Sequence, residues 1–188
     1  MQYYKNVSAI KNPNDLLYQI GEKVNKAIQA REHGVAIQQT WGGIGFSLCG
    51  QKMVSQLGDI IEILPMPSYT KVHGAESWMM GVTNVRGALV TLIDLEKLCG
   101  SSLNSNRQKM RVLVVQDGYT RIGLVVKNVF GLQSFNVNDF TLHDDLSQEM
   151  FSKYVDGEIM SSSSSGTKME KWYRFSMQKF LGAEHIGI

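Results

Sequence analysis

The sequence from residue 78 to residue 100, WMMGVTNVRGALVTLIDLEKLCG, carries most of the information about the fold. Arg86 lies among apolar residues, and a charge in such surroundings must be paired, hydrogen-bonded or held at a surface for a partner. Gly87 allows a positive φ, and Asn84 can hydrogen-bond its own backbone and shape a turn. The apolar run 88–93 is typical of a buried strand. We therefore predict a loop of defined shape that presents Arg86 from a rigid strand.

Beyond residue 41, short apolar and β-branched segments alternate with Gly, Asn and Asp, which favours a mainly β fold. The pair Asp117-Gly118 between two apolar runs is a strong hairpin signal. Many short strands at this spacing are typical of closed barrels or of a sandwich. Polar residues at 101–109 and serines at 161–166 predict two loops. The predicted strands lie near 43–48, 52–56, 59–64, 88–93, 111–116, 121–127, 130–135 and 170–175, and short helices are predicted at 94–98, capped by Asp94, and at 176–181.

The first 34 residues have a different pattern. Apolar residues recur at steps of three and four between residues 12 and 32, which predicts one amphipathic helix. Pro13 suits the first helical position, and Gly34 suits a helix stop. We therefore divide the chain into an N-terminal extension, 1–34, and a body, 35–188. Two roles for the helix stay open, which are packing on its own body and docking on a partner.

The charge distribution favours protein partners over nucleic acid. The 188 residues carry 19 basic and 17 acidic side chains. Five of the basic and three of the acidic ones lie in residues 1–34, so the remaining chain has 14 of each sign. A neutral body lacks the clustered Lys and Arg on which nucleic-acid affinity depends. The chain has no apolar run long enough to span a bilayer and no apolar leader, so we expect a cytoplasmic protein without membrane insertion.

Signatures of catalysis and of cofactor binding are absent from the sequence. Its four histidines are scattered, with no metal-ligand spacing to Cys or to carboxylates. It has no phosphate-binding glycine loop and no nucleophile elbow. Cys49 and Cys99 have apolar neighbours and are expected to be free buried thiols, and the adjacent Asp144 and Asp145 are expected to be solvated. We therefore predict a binding protein, not an enzyme, with no cofactor and no metal.

The motif Gly81-Val82-Thr83-Asn84-Val85-Arg86-Gly87, followed by Leu89-Val90-x-Leu92-Ile93-Asp94-Leu95, resembles the core motif of CheW-like domains. The flanking segments agree with this resemblance, which covers roughly residues 40–182. Other, less specific features are similar to those of the family members that serve type IV pilus (twitching) chemosensory systems. The flanking segments that agree are 59–64, 122–126, 129–132 and 154–157. The less specific features are residues 78–80, the Pro65-x-Pro67 loop, the N-terminal helix and residues 172–175.

The resemblance implies two intertwined SH3-like barrels of five strands each that share one core, with no catalysis. It implies an adaptor that couples the cytoplasmic tip of a methyl-accepting chemoreceptor to the regulatory domain of a CheA-type histidine kinase, in receptor arrays at the inner face of the membrane. Two other functions stay open. One is the general coupling protein of flagellar chemotaxis, and the other is a small barrel that binds nucleic acid.

The resemblance also implies which residues bind the receptor or the kinase. The motif positions are Arg86, Asn84, Gly87 and Gly81, and Ile60 and Glu62 precede them on a predicted strand. Each has an alternative role, because Arg86 could pair inside the barrels, Ile60 could be a core residue, and Glu62 could be a solvated charge. Gly81 could simply form a tight turn.

Two positions depart from the family pattern. Lys127 stands where the family often has Asp, and Thr91 stands where proline is common. The reversed charge at Lys127 leaves open which group it pairs with.

Overall fold

The computed structural model describes residues 40–101, 106–142, 151–162 and 169–183. The amphipathic helix predicted at 12–32 lies outside these residues, as do Asp144 and Asp145. None of the helices within the described ranges is both long and apolar enough to cross a membrane.

The described chain is mainly β, as the sequence predicts, with two short helices. The helices are α1 (Leu95–Leu98) and α2 (Met177–Leu181). Single turns of 3-10 helix lie at Leu57–Asp59, Arg107–Lys109, Val137–Asp139 and Ser152–Tyr154. The strands are β1 (Thr40–Leu48), β2 (Gln51–Gln56), β3 (Glu62–Pro65), β4 (Met79–Val85), β5 (Ala88–Asp94), β6 (Arg111–Asp117), β7 (Thr120–Val126), β8 (Val129–Asn136), β9 (Phe140–Leu142), β10 (Val155–Ser162) and β11 (Met169–Phe175).

The strands form two sheets. The six-stranded sheet has the order β8-β1-β2-β11-β10-β9, and the five-stranded sheet has the order β3-β6-β7-β5-β4. The described residues run through β1 and β2 of the first sheet, then form the whole of the second, and return to complete the first. One sheet therefore has six strands where five were expected, and no backbone pairing within the described ranges joins β8 to β9 or β3 to β4.

The sheets bury apolar side chains in three clusters. The largest takes residues from both sheets, including Phe46 and Phe175 of the six-stranded sheet and Leu113 of the five-stranded sheet. A second cluster around Val112 belongs to the five-stranded sheet, and a third around Trp172 belongs to the six-stranded sheet. β1 is buried along most of its length because it lies between the shared cluster and the third one. The interleaved chain path thus gives the two sheets a common core.

The observed elements differ from the predicted ones at several places, and β9 and β10 were not predicted as strands. β4 was predicted as part of a loop, because Gly81 and Asn84 interrupt its apolar pattern. β3 begins at Glu62 and not at residue 59, since Leu57–Asp59 form a 3-10 turn. β10 continues to Ser162, so the first two residues of the serine loop predicted at 161–166 belong to a strand, and the rest of that loop lies outside the described residues.

Two predicted local features are confirmed. The hairpin at Asp117 is present, with Asp117 paired to Thr120 and Gly118 at φ +54° between them. α1 begins after Asp94, whose side chain accepts a hydrogen bond of 3.0 Å from the Lys97 N–H. Because Asp94 ends β5, the cap also fixes where the strand stops.

The two cysteines differ in exposure. Cys99 is buried, as predicted, whereas Cys49 is only partly buried at the β1–β2 turn. Burial is the main cause that raises the pKa of both thiols, that of Cys99 to about 12. Both thiols are therefore protonated at neutral pH, which makes them poor nucleophiles.

At pH 8, iodoacetamide is expected to label Cys99 slowly in the folded protein. A thiol with a pKa of about 12 has a thiolate fraction on the order of a thousandfold below that of a free cysteine. The Cys49→Ser variant leaves Cys99 as the one thiol, and mass spectrometry follows its labelling with and without denaturant. Equal labelling rates in the two conditions would contradict the burial of Cys99.

Candidate partner-binding site

Arg86 lies at the tip of the β4–β5 hairpin and not in an irregular loop. Val85 pairs with Ala88, which leaves Arg86 and Gly87 as a two-residue turn. Both have positive φ, +50° and +83°, as a type I′ turn requires. The side-chain oxygen of Asn84 accepts a hydrogen bond of 2.9 Å from the Gly87 N–H, so the predicted turn-shaping role of Asn84 is confirmed.

The Arg86 side chain is held at the surface, which was one of the predicted possibilities, and it is not embedded among apolar side chains. Its exposed fraction is 79 %. Apolar neighbours in sequence do not surround it, because the turn carries it beyond the ends of both strands. A non-glycine residue with positive φ is uncommon, and arginine has no short side chain to stabilise that conformation. Strained backbone of this kind is enriched at functional sites.

Glu62 forms an ion pair with Arg86 across the open side of the five-stranded sheet. Arg86 Nη2 lies 2.6 Å from Glu62 Oε1. Glu62 is on β3 and Arg86 follows β4, and these are the two edge strands of the sheet. The pair thus connects side chains where backbone pairing is missing. Glu62 is therefore a paired charge and not merely a solvated one.

The Glu62→Gln variant is expected to lose less than about 1 kcal/mol of folding free energy. The Arg86 end of the pair is well exposed, and exposed ion pairs contribute roughly 0.2–1 kcal/mol. Urea unfolding at low salt measures the difference from wild type. A loss several times larger would show that the pair holds the sheet together.

Ile60 is half-buried and packs against the core that the two sheets share. Its neighbours Ile61 and Ile63 are exposed, as are Leu89 on β5 and Leu132 on β8. None of these four exposed residues is among the predicted site residues. For Ile61 and Ile63 the sequence contains a hint, because the two apolar residues flank Glu62 in the predicted strand 59–64. The sequence alone does not tell which face of that strand is buried and which is exposed.

Gly81 lies near the start of β4, at a bulge in its pairing with β5. Its φ is +143°, and a Cβ atom there would lie 2.2 Å from the Thr70 carbonyl oxygen. Thr70 and Val82 exchange two backbone hydrogen bonds of 2.8 Å, which hold that oxygen in place. The structure therefore gives Gly81 a packing role, away from the Arg86 turn by most of the length of β4.

Lys127 has a carboxylate neighbour within the chain. Its Nζ lies 4.0 Å from Oε1 of the buried Glu96 on α1. The same oxygen accepts a hydrogen bond of 3.1 Å from the Cys49 N–H at the β1–β2 turn. Lys127 lies between β7, the last strand of the five-stranded sheet along the chain, and β8 of the six-stranded sheet. Through its contacts with Lys127 and Cys49, Glu96 therefore connects this segment to the β1–β2 turn. Thr91, the other departure, is buried in β5.

The structure brings four of the six predicted site residues together at the β4–β5 turn, namely Arg86, Asn84, Gly87 and Glu62. Ile60 lies just before β3, and Gly81 lies at the far end of β4. The described residues include no group of three or more His, Cys, Asp or Glu side chains suited to a metal ion.

Comparisons with known proteins identify the family of the chain. The family model of the CheW-like domain matches residues 42–160, and the chain belongs to that family. Its members are non-catalytic scaffold adaptors, which is consistent with the prediction that the chain is not an enzyme. Protein PilI of Pseudomonas aeruginosa is 36 % identical over 138 residues, covering 72 % of this chain and 76 % of PilI.

A solved structure supports the fold. The scaffolding protein TtCheW of Thermoanaerobacter tengcongensis superposes with a TM-score of 0.66 at 18 % identity. The match covers 78 % of this chain and 95 % of that one. The resemblance found in the sequence is thus confirmed at the level of the family and of its fold.

Proposed function

We propose that this protein is the adaptor that couples a methyl-accepting chemoreceptor to a CheA-type histidine kinase in a type IV pilus chemosensory system. Membership of the CheW-like family and the similarity to PilI support the proposal. The same family membership supports the proposal that each of the two sheets is curved as in an SH3-like barrel. It also supports recruitment of the protein from the cytoplasm to receptor arrays at the inner face of the membrane.

The observation that carries the proposal is the exposed guanidinium of Arg86 on a two-residue turn. A turn with fixed φ loses little conformational entropy when a partner binds, so a contact made there is pre-organised. Glu62 holds the Arg86 side chain from one side only, and the planar guanidinium can still donate hydrogen bonds to a second carboxylate or to a carbonyl oxygen. Arg86, Glu62, Asn84 and Gly87 therefore form the proposed receptor contact.

The proposed mechanism is mechanical. The helical hairpin tip of the receptor lays apolar side chains along the surface next to Ile60, in a helix-in-groove mode, while Arg86 pairs with a polar group of the tip. The regulatory domain of the kinase packs against a separate face. A small change in the relative geometry of the two partners then shifts the kinase between states, with a coupling free energy of about 1–3 kcal/mol.

A pull-down from the native cytoplasm tests the proposal. Tagged full-length wild type and Arg86→Ala are compared, and bound proteins are identified by mass spectrometry. We expect wild type to recover a methyl-accepting receptor and a histidine kinase, with less receptor on the variant. Pilus-system partners support the proposal as stated, flagellar partners support the general coupling protein, and recovery of neither by folded protein contradicts both.

A further inference from the structure

A cleft of about 500 Å³ opens at one end of the six-stranded sheet. Its walls are the rings of Trp41 and Phe140, with Arg174 between them. Leu57 and Val137 line its rim. The volume is within the range of sites that bind ligands, and mouths of β structures are common places for them. We call it the mouth cleft. It belongs to the six-stranded sheet, whereas Arg86 belongs to the five-stranded sheet, so the cleft is separate from the proposed receptor contact.

The guanidinium of Arg174 is held by aromatic rings and not by a close carboxylate. Its Cζ lies 5.2 Å from the ring centre of Phe140 and 5.8 Å from that of Trp41. The carboxylate of Asp156 is 3.9 Å from Arg174 Nε, and it lies closer, at 3.0 Å, to Lys179 Nζ. Among the described residues, Arg174 therefore has no short ion pair, although its side chain is only 40 % exposed.

The rim of the mouth cleft is apolar and faces solvent. Leu57 and Val137 are each about half exposed, on two separate 3-10 turns. Trp and Arg are among the residue types most enriched at binding hot spots, and exposed apolar side chains grouped next to them add area that a partner can bury. The Arg174 cation lies between two rings and next to apolar side chains. Such a surface is complementary to a carboxylate that has an apolar group beside it.

We propose that the mouth cleft docks a segment of a partner protein in which an acidic side chain lies next to large apolar ones. The carboxylate accepts two hydrogen bonds from Arg174 between the rings of Trp41 and Phe140, and the apolar side chains cover Leu57 and Val137. Arg174 supplies the preference for an acidic partner, and the rim supplies buried area. This surface goes beyond the receptor contact at Arg86 and does not depend on it.

The test uses the full-length protein and two synthetic amphipathic peptides of four helical turns, about 14 residues each. Both carry Leu and Phe on one face. One has Glu beside that face, and its matched control has Lys at the same positions. The indole N–H signal of Trp41, assigned with Trp41→Phe, is followed by NMR during titration of wild type, Arg174→Gln and Arg121→Gln. Arg121 is on β7 of the other sheet, so its variant controls for charge alone.

We expect the Glu peptide to shift the Trp41 signal and the Lys peptide to leave it unchanged. Arg174→Gln should weaken the affinity for the Glu peptide at least about tenfold, and Arg121→Gln should change it less than about twofold. Leu57→Ser, at an exposed position, should also weaken it. Absence of binding, equal shifts by both peptides, or unchanged affinity of Arg174→Gln would overturn the proposal. So would a concentration-dependent dimer that covers Trp41, since the occupant would then be a second copy.

Discussion

Arg86→Ala is expected to weaken receptor binding at least about tenfold while the protein stays folded, because arginines at interface centres often carry that share of the affinity. The side chain is 79 % exposed and its pair with Glu62 is at the surface, so its loss should cost less than about 1 kcal/mol of stability. Isothermal titration of a purified receptor cytoplasmic fragment measures the affinity, and thermal unfolding measures the stability.

Two matched variants make the Arg86 experiment specific. Arg86→Asn removes the guanidinium but suits the positive φ better than alanine does, so it should be at least as stable as Arg86→Ala and bind equally weakly. Arg121→Ala removes a positive charge from β7 and should bind as wild type does. If Arg86→Ala binds normally, the β4–β5 turn is not the receptor contact. If it loses many degrees of melting temperature, the role of Arg86 is structural.

Gly81→Ala is expected to lower the stability of the protein strongly. The new Cβ would lie 2.2 Å from the Thr70 carbonyl oxygen, and φ at this position is +143°. Backbone strain and overpacking each cost roughly 1–3 kcal/mol, so a total of about 3 kcal/mol is expected. For a chain of this size that corresponds to a decrease in melting temperature of roughly 6–12 °C.

Gly87→Ala separates the two causes. Gly87 also has a positive φ, +83°, but a Cβ there meets no atom within 4 Å. Its loss of stability should therefore come from backbone strain alone, about 1–2 kcal/mol. Calorimetry of both variants measures the difference. Equal losses would mean that contact with Thr70 does not constrain Gly81, and the packing role assigned to Gly81 would be wrong.

The sequence predicted most strands because their apolar runs are local. It missed β4, β9 and β10. In β4, Gly81 and Asn84 interrupt the apolar pattern. What makes this segment a strand is non-local, since β5 pairs along it on one side and Thr70 bonds to Val82 on the other. The count of strands in each sheet also depends on pairing between distant segments, such as the parallel pair of β2 and β11, which no local pattern encodes.

The candidate site could be predicted in part. The turn chemistry of Asn84 and Gly87 is local, so it was visible in the sequence. The exposure of Arg86 and its pair with Glu62 were not, because they depend on how β3 and β4 come to lie at opposite edges of one sheet. For the same reason the mouth cleft could not be found, since Trp41, Phe140 and Arg174 come from three distant strands.

The most direct test of the adaptor function is kinase autophosphorylation in a reconstituted system. Membranes that contain the receptor are mixed with the purified kinase, with or without this protein, and incorporation of phosphate is followed over time. We expect kinase activity to respond to the receptor only when wild-type protein is present, and Arg86→Ala to abolish most of the response. An equal response with and without the protein, under conditions in which each component is folded and active, would contradict the proposed coupling.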